Sequence, residues 1–458
     1  MKSAINERLT RIGPGTACGQ LMRQYWQPVA LLDEFDPALD PRMAMRAVKA
    51  VRVLGQDLVL WRDALGRFSL FDRDCPHRGA DLAYARNEGD GLRCPFQGWK
   101  FDSSGQCIET PAEPAGSTLC QHVRQRSYPL TVRSGVVFAW LGPADCTPAH
   151  FPRLDCLDAP ATHTFAFKGL WRCNWLQAFE VGIDPAHASY LHRFFHDAPL
   201  DESYGKQFRS ASAGELGGER WPMSRILREF DQPHISVENT ALGLRLTALR
   251  AMNARHTHVR ITHAIFPHTF VIPLSETMTI TQIHLPVDDT HTYWYSIFTS
   301  FAAPVDKHAM RAQRLQAIDL PDYVPKAGRH NQWGFDPEEQ THRTYLGMGE
   351  NDINVHDQWA CESMGPIQDR TREHLGTSDK AIMSHRRMLL RAIDEVQAGG
   401  VAPGLAQSEV ARRQHGPDTL DGIAPADDWP GWCERTLNTR REVAPWSAPA
   451  APEARHET

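Results

Sequence analysis

The residues with the clearest metal chemistry lie in one stretch, NWLQAFEVGIDPAHASYLHRFFH (174–196), where Asp184, His187 and His192 form D-x2-H-x4-H. Two imidazoles joined by one distant carboxylate make a facial triad with open coordination positions, the donor set of non-haem Fe(II) sites that handle oxygen. Zinc bound through His192 and His196 at i, i+4, or a plain surface helix, uses the same letters. The stretch reads as helical, because Leu176, Phe179, Ile183, Ala186 and Tyr190 recur at spacings of three and four. That face packs, and Glu180, Asp184 and His187 share another, which marks Asp184 and Glu180 as candidate catalytic residues. A five-residue step turns about 140° around an ideal helix. Both imidazoles therefore reach one ion only if the helix bends or widens between them, and Pro185 is placed to cause this. The third ligand must come from far along the chain, where Asp352, Asp357, Glu362 and Asp369 compete.

A second constellation precedes the first. In CPHRGADLAYARNEGDGLRCPFQGWKFD, Cys75-x-His77 is followed after sixteen residues by Cys94-x2-Gln97. Two Cys-Pro dipeptides, with Gly79 and Gly98 nearby, suggest two loops that clamp a metal cluster with backbone. Cys107 and Cys120 follow without a spacing that brings them to the same metal, and read as ordinary thiols.

These sites need a framework, and 458 residues supply one of two domains or one elaborate domain. Charged residues make up 23% and the formal net charge is −6, which argues against general binding to nucleic acid or anionic membranes. No apolar run has the length of a signal peptide or a membrane span. Ten scattered cysteines without such a signal read as thiols or metal ligands, and the expected location is the cytoplasm.

Residues 1–45 read as a lead-in with a short helix at 19–26 stopped by Pro28. Residues 46–145 alternate as strands and turns: VRVL and LVLW around Gly55-Gln56-Asp57, then FSLF, then TVRSGVVFAW folding over Ser134-Gly135. This predicts a small all-β domain holding both cysteine loops. Residues 141–165, rich in Pro and Asp, read as the junction. Residues 160–400 form the second domain. Its strands HISVEN, LGLRLTALR, THVRITHAIF, TMTITQIHLP and HTYWYSIFT predict an antiparallel sheet folded over a long helix. That helix is Lys380 to Gln397, with Ile382, Leu389, Ile393 and Val396 on one stripe and Gly399-Gly400 after it. Residues 301–350 read as an irregular lid or binding loop with solvated His308, His330 and His342. Residues 401–458 read as an extension anchored by Trp429, Trp432 and Trp446, with a disordered last dozen.

The residues quoted above resemble the Rieske non-haem iron aromatic ring-hydroxylating oxygenases. C-x-H-R-G, a spacer, and C-P-[FY]-H-G-W form the pattern of their Rieske domain, and D-x2-H-x4-H follows about 80 residues later, as it does in the family. The resemblance runs from Thr10 to about Arg391. NWLQAFE-x3-D-x2-H, RGADL and ESMGPIQDRTREHLGTSD are most similar to the phthalate dioxygenase-like branch. It implies an α+β oxygenase (alpha) subunit, with an all-β Rieske [2Fe-2S] domain followed by a helix-grip (START-like) catalytic domain. It also implies Cys75, His77 and Cys94 as cluster ligands, and His187, His192 and Asp357 as ligands of mononuclear Fe(II), with Glu362 a structural neighbour. Electrons would come from NAD(P)H through a partner reductase, in three-part systems with a ferredoxin between. The functional unit would be a homotrimer in which Asp184 bridges His187 and position 97 of the next subunit. Substrates of the branch are aromatic carboxylates and aryl ethers, hydroxylated or O-demethylated with O2. Lys206, Arg209, Arg245, Arg250 and Arg260 could pair with a carboxylate.

One position departs from the pattern. Where the family has its second Rieske histidine, this chain has Gln97. A carboxamide is a poor ligand beside sulfide and thiolate, so the cluster is absent, labile, or completed by water or another side chain. A rival reading follows, in which a silent or impaired homologue binds an aromatic ligand without turnover. A hydrolase or demethylase using only the mononuclear site is a third.

Overall fold

The computed structural model describes residues 1–143, 151–197, 212–405 and 416–448. The first helices are Ser3–Thr10 and Ala17–Met22, the latter capped by Thr16, whose side chain accepts from the Gly19 N–H. The second helix ends four residues before the expected 26 because the Gln27 side chain donates to the Met22 carbonyl at 2.8 Å. Pro28 does not stop a helix. It lies in the strand Gln27–Leu31, which pairs only with Val136–Ala139, so the N–H that proline lacks falls on a sheet edge.

Val48–Val53 and Gln56–Arg62 form a hairpin over Leu54 and Gly55, both with positive φ (52° and 71°), as a tight two-residue turn requires. Phe68–Asp72 and Ser127–Tyr128 complete that four-stranded sheet. A second sheet of short strands, Arg86–Asn87, Leu92–Arg93, Lys100–Phe101 and Cys107–Glu109, carries one cysteine loop between its second and third strands. Buried Val59, Trp61, Phe71, Leu92 and Phe101 fill the space between the sheets and back both loops.

The second domain is an antiparallel sheet in the order Thr164–Trp171, His291–Ser300, Met278–Asp288, Thr269–Ser275, His256–Ile265, Gly243–Ala251, His234–Thr240. Thr269–Ser275 was not among the expected strands, since Pro267 and Pro273 break its pattern. The helix Lys380–Gln397 forms over the expected residues and packs Ala381, His385, Leu389 and Ile393 inward. The segment 301–350 is less irregular than expected, with a helix at Lys307–Ala317 capped by Asp306. His308, His330 and His342 are exposed.

The sheet does not end at residue 400. Leu420–Pro425 pairs with His256–Ile261, the half of that strand left unpaired by its hairpin partner, which reaches only 263–265. The helix Trp429–Val443 then packs on this strand, and Trp446 stacks on Phe301 with ring centroids 5.2 Å apart. The expected extension is thus part of the sheet domain, while residues 449–458 lie outside the described residues. Among the described residues no helix is long and apolar enough to cross a membrane, and the nine described cysteines form no disulfide.

A buried ion-pair group ties the elements behind the metal ligands together. Glu180 accepts from Arg386 Nε (2.5 Å) and Nη2 (2.8 Å) and from Arg370 Nη2 (3.1 Å), while Arg386 also reaches Glu373. Burial works to raise the Glu180 pKa, but the charges and hydrogen bonds of Arg370 and Arg386 outweigh it and hold the carboxyl below its usual range. Glu180→Ala leaves two buried guanidinium groups without their counter-ion, and should cost about 3–5 kcal/mol, read as a lower urea midpoint. The sign with pH follows from the depressed carboxyl: the stabilisation is fully present above the ordinary carboxylate range and fades as pH falls through the lowered native value. Wild type should therefore lose its advantage over Glu180→Ala in acid.

Candidate metal centre

The helix that opens this site is Trp175–Gly182, started by Asn174, whose side chain accepts from the Leu176 N–H and donates to the Thr10 and Asp289 carbonyls. Gly182 is required, because a Cβ there would lie 1.9 Å from the Phe270 ring. The helix does not continue to 196 as expected. It stops at Ile183, and the Asp184 carboxylate accepts from the Ala186 N–H at 2.8 Å across Pro185, closing a turn. A single helical turn, Ala188–Leu191, follows, with His187 and His192 at its two ends. This break brings the Nε2 atoms of His187 and His192 to 3.2 Å, where an ideal helix would point them apart.

The helix Asn354–Ser363 brings Asp357. Its Oδ1 lies 3.3 Å from His192 Nε2 and 3.7 Å from His187 Nε2, and is buried without an aligned donor. The ligand atoms of the three residues all lie within 4.8 Å of one another, close enough to hold one metal ion. The Nδ1 atoms are engaged elsewhere: His187 Nδ1 meets the Asp184 carbonyl at 2.5 Å and His192 Nδ1 meets His356 Nδ1 at 3.0 Å. Burial and the neighbouring His192 lower the His187 pKa. Burial works to raise that of Asp357, but the charges of His192 and His187 bring it below the usual carboxylate range. Two bare imidazole nitrogens and an orphaned carboxylate oxygen facing one point fit a divalent cation.

The other acids separate. Glu362 accepts from the Arg172 N–H (2.9 Å) and from Trp333 Nε1 (2.7 Å), as a structural neighbour would. Asp352 pairs with Arg314 at 3.5 Å, and Asp369 caps a short turn at Thr371. Glu180, expected as a catalytic residue on the face of His187, instead turns into Arg370 and Arg386 on the far side of its helix. Asp184 stays near, its carboxylate 4.0 Å from His187 Nδ1.

A cavity of about 900 Å³ of empty space opens on the trio. Trp171, Phe270, Ile272 and Ile280 form apolar wall, and Arg250 and Arg260 bring positive charge to it. Arg260 is held by Asp421 (3.0 Å) and the Pro273 carbonyl (3.0 Å). Arg250, 1% exposed, donates among the described residues only to the Pro185 carbonyl, at 3.2 Å, which leaves Nε and Nη1 unpaired there. Burial lowers its pKa to about 10, so it remains a cation at neutral pH. Arg245 does not line the cavity, and Lys206 and Arg209 lie outside the described residues. His356 was missed, although it directly precedes Asp357 in sequence.

The two cysteine loops have one backbone plan. Cys75 N–H donates to the Ala80 carbonyl and Gly79 N–H to the Cys75 carbonyl; Cys94 N–H donates to Trp99 and Gly98 N–H to Cys94. Gly79 (φ 75°) and Gly98 (φ 80°) make the turns. Cys75 and Cys94 are both buried, and the His77 ring stands 4.6 Å from that of Trp99. These three residues fit a Rieske [2Fe-2S] cluster, whereas Gln97 places an exposed carboxamide at the fourth ligand position. Cys107 and Cys120 lie 3.9 Å apart, beside this site.

Comparison with known proteins agrees with both halves. The Rieske [2Fe-2S] domain family matches residues 26–129, and the family described as LigXa C-terminal domain like matches 139–442, through the last strand and helix. The oxygenase subunit of phthalate 4,5-dioxygenase from Pseudomonas putida is 35% identical over 424 residues, covering 89% of this chain and 90% of that protein. That of 5,5'-dehydrodivanillate O-demethylase from Sphingobium sp. is 27% identical, covering 86% and 81%. Among solved structures, NdmA of Pseudomonas putida CBB5 aligns with a TM-score of 0.52 at 17% identity, covering 83% of this chain and 94% of NdmA, a likeness of fold. With a Rieske domain, a LigXa-like catalytic domain and a relative this similar over nearly its whole length, the chain belongs to the Rieske non-haem iron oxygenases as an oxygenase subunit, an enzyme family whose cofactors are a Rieske [2Fe-2S] cluster and Fe(II).

Proposed function

We propose that this chain is the oxygenase component of a multicomponent system that hydroxylates or O-demethylates an aromatic carboxylate or a carboxylate-bearing aryl ether. The observation that carries the reading is the convergence of His187, His192 and Asp357 on an apolar cavity whose wall holds a buried arginine with two unpaired nitrogens. Fe(II) held by those three residues would be the site where O2 is reduced, with electrons from NAD(P)H delivered by a partner reductase, directly or through a ferredoxin. Trp171, Phe270 and Ile280 exclude water from the ring of the substrate, and Arg250 orients its carboxylate. Arg260, already neutralised by Asp421, shapes the wall. The reading extends to a cytoplasmic homotrimer in which Asp184 of one subunit meets position 97 of the next. Half-buried Asp184 and the 52% exposed Phe96 beside Gln97 support that contact.

A second reading, an impaired or silent homologue, rests on Gln97. A carboxamide is neutral, weakly basic and readily displaced by water, so it supports a cluster less well than imidazole. It still offers an N–H to a neighbouring carboxylate and so preserves a subunit contact while the redox site weakens.

Three measurements test these readings. His187→Ala should remove the mononuclear iron and spare any visible bands of the cluster; loss of the bands in that variant would mean that the two sites are not separate. Arg250→Gln should raise KM for an aromatic acid by roughly 10- to 150-fold, the worth of about 1.5–3 kcal/mol for a charge-assisted hydrogen bond, and leave an uncharged analogue unaffected. Equal effects on both would reject the carboxylate assignment. Gln97→His should raise cluster content and substrate-dependent oxygen uptake together. A native protein that already holds a full cluster and turns over, unchanged by that substitution, would remove the impaired reading.

A further inference from the structure

His356 has no exposed surface and stacks on His192, with ring centroids 5.2 Å apart and planes at 24°. Its Nε2 lies 2.7 Å from the Met348 carbonyl oxygen and its Nδ1 lies 3.0 Å from His192 Nδ1. A carbonyl oxygen only accepts, so Nε2 of His356 carries the hydrogen and donates. One hydrogen lies between the two Nδ1 atoms, and with His192 Nε2 facing Asp357 and His187 as a ligand atom, that hydrogen belongs to His192 Nδ1, so His356 Nδ1 accepts it. One tautomer of His192 remains, with a bare Nε2 aimed at Asp357 and His187.

The chain is shaped to admit this ring. At Gly349 (φ 72°), a Cβ would stand 2.7 Å from His356 Cδ2 and 2.9 Å from its Nε2. A side chain there would clash with the ring that anchors the tautomer. The Asp352 N–H closes the turn onto the Gly349 carbonyl at 3.0 Å. Phe194 packs on His356 with ring centroids 6.1 Å apart.

We infer that His356 is a positioning residue that fixes the tautomer and ring orientation of His192 for iron, through a hydrogen-bond chain that ends on the Met348 backbone. The inference rests on the reading of His192 as an iron ligand.

The test compares His192→Ala, His356→Phe and His356→Gln in the full-length, cluster-containing protein. It reads iron retained beyond the cluster against graded chelators, and the electron paramagnetic resonance of the Fe(II)–nitric oxide adduct. His192→Ala examines the underlying reading alone: retention of mononuclear iron there would remove the ligand assignment, whatever His356 does. Where His192→Ala loses that iron, His356→Phe should bind it about 10- to 100-fold more weakly, with an altered nitrosyl signal. His356→Gln, which can accept at Oε1 and donate at Nε2, should restore both toward native. Native affinity in folded His356→Phe, or no recovery in folded His356→Gln, overturns the inference. Nitrogen-15 histidine NMR of the iron-depleted native protein decides it without either variant. His192 should carry hydrogen on Nδ1, and a hydrogen on Nε2 overturns the inference.

Discussion

Two imidazoles five residues apart can face one ion only if the helix between them stops, and the rest of the catalytic half is arranged around that stop. Asp184 makes it by turning its carboxylate back to the Ala186 N–H across Pro185. The freed Asp184 carbonyl accepts His187 Nδ1, so the residue that ends the helix also aims the first imidazole. The second is aimed by His356, from the helix that brings Asp357. Each of the two imidazoles is thus held from behind.

Holding these helices in place requires the ion pairs at Glu180 and the sheet beneath. Glu180 lies on the first helix only four residues before Asp184, yet its carboxylate serves Arg370 and Arg386 on the opposite side. The sheet contributes charge as well as support. Asp421, on the strand Leu420–Pro425, neutralises Arg260 and receives His258, and both sit within one buried patch next to Arg250. Because Asp421 is already committed, the described residues of the cavity present one guanidinium with unpaired nitrogens and not two. The last strand therefore tunes a pocket through an arginine 161 residues before it in sequence.

Much of this was legible in the residues, and the failures share a cause. The hairpin over Ser134-Gly135, the cysteine loops and the helix Lys380–Gln397 are local patterns that form where spacing places them, and the hairpin expected around Gly55-Gln56-Asp57 forms with its turn shifted to Leu54-Gly55. Asp184, His187, His192 and Asp357 come together, although the choice of Asp357 over three other acids came from resemblance and not from spacing. What was misread depends on contacts between distant segments. Leu420–Pro425 is a strand because one edge of His256–Ile261 is left open by its hairpin partner, Pro28 is tolerated because its strand is an edge, and Glu180 is structural because two arginines about 200 residues away approach it. The strand Thr269–Ser275 failed for a local reason, its prolines. His356 could have been suspected from the His-Asp dipeptide, but only folding shows that its ring reaches His192.

The same separation of backbone and side chain explains how position 97 can hold glutamine without disturbing the domain. Both cysteine loops are closed by two backbone hydrogen bonds from and to the cysteine, and each turns on a glycine in the left-handed region. None of those four bonds uses the side chain of residue 77 or 97. His77 still contributes packing, through Trp99 and Phe96, whereas the Gln97 side chain is exposed. Exchanging imidazole for carboxamide there removes no buried contact and strains no turn, so the fold places little constraint on this residue. Any pressure to keep a histidine at position 97 would come from the metal alone. Its replacement therefore bears on redox chemistry, and not on whether the domain folds.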